Sequence, residues 1–221
     1  MSKKFILFDC DGVLVDSEFL ASHVLANMLQ EYGCPTTSDE IIITYVGQKD
    51  VEIVRILAKI HSLQLPNNFI EQYAIALDAK LEKDLKPING IAEMLTKLTL
   101  PRAIVSNSTL PRIQTSLKST GLDVYFTQSK FFSPDITIFS KPDPRIYQYA
   151  VDELGLSKQE VLVVEDSPTG VSAASGAGLD VIGFLGATHP GKNQEEKLRA
   201  NGAKYIVHNA NELSVLLSSF Q

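Results

Sequence analysis

Val161-Leu162-Val163-Val164 is the segment that most restricts what this chain can fold into. Four consecutive aliphatic residues without polar alternation are the pattern of a strand covered on both faces, and such strands belong to parallel sheets. Similar short runs lie at Phe5 to Phe8, Ala103 to Val105 and Val181 to Leu185, with a weaker one near Tyr125 to Thr127 and a last strand at Lys204 to Val207. Helical patterns separate them. This alternation predicts an α/β fold with a doubly wound, Rossmann-like parallel sheet.

The rhythm breaks once. About 90 residues follow the first strand where a βαβ crossover needs only about 30. The interval reads as helices at Ser17 to Tyr32, Ser38 to Thr44, Asp50 to His61 and Asn68 to Lys83, punctuated by Gly33-Cys34-Pro35, Gly47 and Leu65-Pro66-Asn67. The expectation is a helical cap at 17–85, inserted into a core made of 1–16 and 86–221. The linkers fall near Asp16 and near Lys86-Pro87. The 221 residues then divide into a core and cap of ordinary size.

Charge narrows the partners. Twenty Lys and Arg against 26 Asp and Glu leave a net charge of −6, which repels nucleic acid and anionic membranes where no basic cluster intervenes. Neither is expected as a partner. Cys10 and Cys34 show no CxxC spacing, so neither a disulfide framework nor a zinc site is suggested. After Met1-Ser2-Lys3-Lys4, the apolar run stops at Asp9, too short for a signal segment or a membrane span. A cytoplasmic monomer is the expectation.

In open α/β sheets, ligands sit at the carboxyl ends of the strands, and four of these ends carry polar residues. The first continues into Asp9-Cys10-Asp11-Gly12. Carboxylates two residues apart can project from one side of the chain, and Gly12 permits a sharp departure. A simple strand-end turn would look the same. The second ends in Ser106-Asn107-Ser108 before a helix, which suits a phosphate or an ordinary cap at Ser108 or Thr109. Lys141, in Ser140-Lys141-Pro142-Asp143-Pro144, is either a fixed charge over an anion or a solvated surface residue. The fourth strand runs into Glu165-Asp166-Ser167-Pro168. Adjacent acids after a buried strand are costly beside other carboxylates unless a hard cation compensates, and magnesium is the natural candidate beside a phosphate. Ser167-Pro168 is also a helix start.

Together these four motifs, Asp9-x-Asp11-Gly12-Val13-Leu14-Val15-Asp16-Ser17-Glu18, Ser106-Asn107-Ser108, Lys141-Pro142-Asp143-Pro144 and Glu165-Asp166-Ser167-x-x-Gly170, resemble those of the haloacid dehalogenase-like hydrolases. The resemblance spans essentially the whole chain, helical cap included. Within the family it looks like the small bacterial sugar-phosphate phosphatases, including those acting on 6-phosphogluconate.

The resemblance implies an Mg-dependent phosphatase of small phosphorylated metabolites. Asp9 would be the nucleophile and Asp11 the general acid and base. Magnesium would be held by Asp9, the Asp11 backbone carbonyl and Asp166, with Glu165 behind them. Ser106, Asn107 and Lys141 would bind the phosphoryl oxygens. Asp11 favours phosphate esters, because dehalogenases and phosphonate hydrolases of the family lack the second aspartate. A phosphomutase of the β-phosphoglucomutase type is the alternative. Such enzymes carry a histidine in the first cap helix where this chain has Ala21, with His23 two residues further. A phospho-accepting signalling domain is a third reading, but it lacks both the helical insertion and the second aspartate. Substrate choice would fall to the cap loop Gly47-Gln48-Lys49-Asp50, where Lys49 either meets an anionic end of the substrate such as a sugar-acid carboxylate or is an exposed lysine at a helix start.

Overall fold

The computed structural model describes residues 3–45, 48, 50–188 and 193–220. Its elements run β1 (Phe5–Phe8), α1 (Ser17–Glu31), α2 (Ser38–Tyr45), α3 (Asp50–His61), α4 (Phe69–Asp84), α5 (Ile91–Lys97), β2 (Arg102–Val105), α6 (Leu110–Ser119), β3 (Phe131–Phe132), α7 (Pro134–Thr137), α8 (Arg145–Leu154), β4 (Val161–Glu165), α9 (Pro168–Gly176), β5 (Asp180–Phe184), α10 (Gln194–Ala200), β6 (Tyr205–Val207) and α11 (Ala210–Ser218).

The six strands form one all-parallel sheet in the order β3-β2-β1-β4-β5-β6. Alternate residues of each strand enter opposite cores. Ile6, Phe8, Ile104, Leu162, Val164 and Ile182 join one buried cluster. Leu7, Ala103, Val105, Val163 and Val181 join the other. Burial on both faces explains the unbroken aliphatic runs, and each such large side chain contributes roughly 1.5–3 kcal/mol.

The third strand lies elsewhere than the sequence predicts. Asp123–Tyr125 is a short 3-10 turn, closed by the Phe126 N–H donating to the Asp123 carbonyl at 3.0 Å. Val124 in the turn is exposed, while the following Phe126 is buried without strand pairing and its ring meets Phe8 edge to face. The strand is Phe131–Phe132. Two residues carry no period for a pattern to register.

Residues 17–84 carry the four helices α1 to α4. The chain leaves and returns at one place: Asp16 N–H donates to Lys86 O and Ile88 N–H to Leu14 O, both at 3.0 Å. Among the described residues, no helix is long and apolar enough to cross a membrane.

Candidate active site

Strand ends bring the predicted residues to one edge of the sheet. β1 and β4 are neighbours in register, with Phe8 opposite Val164, so Asp9 emerges beside Glu165 and Asp166. β2 flanks β1 on the other side and delivers Ser106. A cleft of about 440 Å³ lies over this edge, and Asp9, Asp11, Ser106, Asn107 and Lys141 are among its lining residues.

Lys141 is the electrostatic centre. Its ammonium sits 2.7 Å from Asp9 Oδ1 and 2.5 Å from Glu165 Oε1. Burial alone would lower its pKa, but these two carboxylates outweigh that and hold it well above the ordinary lysine value. The surface alternative for Lys141 is thereby excluded, since it is only 3% exposed. Asn107 fixes its backbone: the side-chain amide donates to Lys141 O at 3.1 Å, and Lys141 N–H donates to Asn107 Oδ1 at 2.7 Å.

Glu165 is fully buried and has its own partners. Besides Lys141, it accepts from Tyr147 OH at 2.7 Å on Oε1 and from Ser167 Oγ at 3.2 Å on Oε2. Ser167 is also the N-cap of α9, accepting from Gly170 N–H at 3.0 Å, so the helix start and the acidic site coexist as the sequence suggests. The other cap differs from expectation. Thr109 precedes α6 without a side-chain cap bond, and the Leu110 N–H is satisfied by Asp135 Oδ2 at 2.7 Å.

Asp11 is held by two hydroxyls. Ser17 Oγ donates to Oδ1 at 2.6 Å and Ser108 Oγ to Oδ2 at 2.8 Å. Ser106 Oγ accepts the Ser108 N–H at 3.0 Å and keeps its own proton to donate.

The donor set fits a hard divalent cation. Oxygens of Asp9, Glu165 and Asp166, all buried, lie within 4.8 Å of one another. With all three ionised and Lys141 protonated, two negative charges remain uncompensated. Burial first, then the neighbouring charge of Glu165, pushes Asp9 up to about 8 even though Lys141 opposes the shift. Asp166 is raised well above the usual carboxylate range by burial and by Glu18, Asp9 and Glu165. Among the described residues, no hydrogen bond or ion pair reaches the Asp166 carboxylate, whereas its backbone carbonyl accepts from Gln194 Nε2 at 2.7 Å. Gly12 adopts φ +75°, and a Cβ there would overlap that carboxylate, so the loop closes over Asp166 only because the side chain is absent.

Tyr147 was not singled out from the sequence, though a signal existed: it lies on the apolar face of α8 with Ile146, Ala150 and Val151, and a buried tyrosine hydroxyl needs a partner. Arg112 and Asp78, which also line the cleft, carried no such signal. Gly47 and Lys49 lie outside the described residues.

A family model described as haloacid dehalogenase-like hydrolase matches residues 6–184. The chain is 31% identical over 185 residues to the 6-phosphogluconate phosphatase of Escherichia coli strain K12, covering 83% of each. A conserved haloacid dehalogenase-like protein from Agrobacterium tumefaciens has a TM-score of 0.89 at 34% identity, covering 98% of both chains. A hydrolase from Deinococcus radiodurans, solved with bound phosphate and sodium, has a TM-score of 0.84 at 30% identity, covering 99% of this chain and 96% of that one.

Proposed function

The chain belongs to the haloacid dehalogenase-like hydrolases, and on that footing we propose that it is an Mg-dependent phosphatase of phosphorylated sugars or sugar acids. The observation that carries this reading is the convergence of Asp9, Asp11, Ser106 and Lys141 on one cleft. The segment 17–85 acts as the cap over a core of 1–16 and 86–221.

In the first half-reaction an Asp9 carboxylate oxygen attacks phosphorus. The bond from phosphorus to the alcohol oxygen breaks, and Asp11 gives its proton to that leaving oxygen. In the second, Asp11 takes a proton from water, the water oxygen attacks phosphorus, and the bond to Asp9 breaks to release phosphate. The two hydroxyls on Asp11 hold it in place for both transfers. Lys141 and Ser106 Oγ donate to phosphoryl oxygens, as does the Asn107 backbone N–H, because the side chain of Asn107 is engaged with Lys141. Asp9, the Asp11 carbonyl and Asp166 would hold Mg2+, which supplies positive charge against the nucleophile and the phosphoryl group. Glu165, engaged by Lys141, Tyr147 and Ser167, orients the lysine from behind.

Two observations favour hydrolysis over the mutase alternative. Ala21 stands where a mutase carries its cap histidine. His23 instead stacks on Phe19, with ring centroids 6.3 Å apart, and shares a hydrogen bond with Asn27. The phospho-accepting signalling reading is disfavoured by the inserted helices and by Asp11.

The test is release of inorganic phosphate from a panel of metabolite phosphates and p-nitrophenyl phosphate with and without Mg2+, ranked by kcat/KM. Turnover that needs the metal and vanishes in Asp9→Asn is expected. Absence of turnover across the panel, or full activity in Asp9→Asn, would overturn the reading.

A further inference from the structure

The residues lining the cleft include two cations, Lys141 and Arg112. Lys141 is engaged by Asp9 and Glu165 and, in the reading above, by the transferred phosphoryl group, so a second anionic group on a substrate would have to find Arg112. That guanidinium is paired with Asp78 of α4, but loosely. Nε at 2.8 Å and Nη2 at 2.7 Å both reach the same oxygen, Asp78 Oδ1. Among the described residues, nothing is bonded to Nη1 or to Asp78 Oδ2. The Asp78 side chain is 59% exposed and that of Arg112 27%. Such a solvent-screened pair contributes little, and Asp78 regains water if it lets go.

The position of Arg112 also argues for a role beyond that pair. It lies in the first turn of α6, where the helix dipole disfavours a cation. A second cavity of about 330 Å³ shares Asp78, Thr109 and Arg112 with the catalytic cleft. Arg112 therefore stands where the two cavities meet and borders both. A planar fork with spare donors suits a carboxylate, and Asp78 already occupies it as one would.

We infer that Arg112 is a specificity-determining residue of this cleft, exchanging Asp78 for a carboxylate at the far end of the substrate, so that phosphorylated sugar acids are preferred over neutral sugar phosphates. This rests on the phosphatase reading above and assigns the carboxylate to Arg112 rather than to Lys49.

The experiment compares wild type, Arg112→Ala, Arg112→Lys, Asp78→Asn and Lys49→Ala on 6-phosphogluconate, glucose 6-phosphate and p-nitrophenyl phosphate. Arg112→Ala should lower the ratio of kcat/KM for 6-phosphogluconate over glucose 6-phosphate by about tenfold or more, chiefly through KM, the scale of a charge-assisted hydrogen bond. Arg112→Lys should recover part of that ratio, and Asp78→Asn should raise it above wild type. Calorimetric titration of 6-phosphogluconate into Asp9→Asn, with and without Arg112→Ala, reads the same preference without turnover. An unchanged ratio in Arg112→Ala, or a drop confined to Lys49→Ala, would overturn the inference while p-nitrophenyl phosphate hydrolysis keeps the phosphatase reading intact. A wild type inert on all three esters would overturn that reading instead.

Discussion

The ammonium of Lys141 lies 2.7 Å from the carboxylate of Asp9, with 3% and 10% of the two side chains exposed. The same ammonium also pairs with the fully buried Glu165, and removing one partner of such a buried network costs about 3–5 kcal/mol. Lys141→Met, which preserves much of the side-chain volume, should therefore abolish turnover and lower stability. Urea unfolding of wild type and variant checks the stability, phosphate release checks the turnover, and an unchanged unfolding midpoint would count against this account.

The stability of the metal-free protein should itself fall as pH rises. Asp9 and Glu18 keep their protons up to about 8 and about 7 in the folded chain, both chiefly through burial, against ordinary values of 3.8 and 4.5. Between those limits the folded state binds more protons than the unfolded one, so the stability is fully present at the acid end and is lost as pH rises to about 8. Added Mg2+ should flatten the slope by replacing the protons. Urea midpoints of chelator-treated protein, with and without the metal, measure both effects.

Gly170→Ala separates packing from propensity. In a helix interior, alanine is ordinarily better than glycine by about 1 kcal/mol. Here the new Cβ would run into the Glu165 carboxylate, which is held by Lys141, Tyr147 and Ser167 and cannot swing away. The variant should be less stable than wild type in thermal unfolding and should lose activity. A rise in Tm would refute the account.

Ser17→Ala removes one of the two hydroxyls on Asp11. Loss of a hydrogen bond to a charged group amounts to about 1.5–3 kcal/mol. If Asp11 moves the proton, kcat should drop more on alkyl phosphates than on p-nitrophenyl phosphate, whose leaving group departs readily without one. Equal losses on both would mean that Ser17 serves the fold rather than proton transfer.

What could be read from the sequence follows from where the information lies. Asp9, Ser106 and Glu165 each come directly at or after the end of a buried aliphatic run, so the strand pattern that predicts the sheet also gathers its polar ends. Lys141 was legible only as part of a set of motifs, because no strand precedes it and its burial depends on carboxylates far away in the chain. Phe131–Phe132 is too short to show a period, while Tyr125 and Phe126 imitate a strand by being apolar. The Arg112–Asp78 pair joins two helices whose separate sequences give no hint of meeting.

The place of β1 in the sheet has a consequence for how the molecule assembles. Ile6 has Arg102 on one side and Leu162 on the other as its neighbours, so this central strand has no partner until distant stretches of chain arrive. Folding to the native state must close these long loops before the contacts reward it, which slows such topologies. Until β4 docks, Asp9 lacks Glu165 and Asp166 beside it, and the cation site is absent. A chain that has formed only its helices and first strands thus exposes an apolar ribbon and carries no catalytic power, so activity reports completion of the fold.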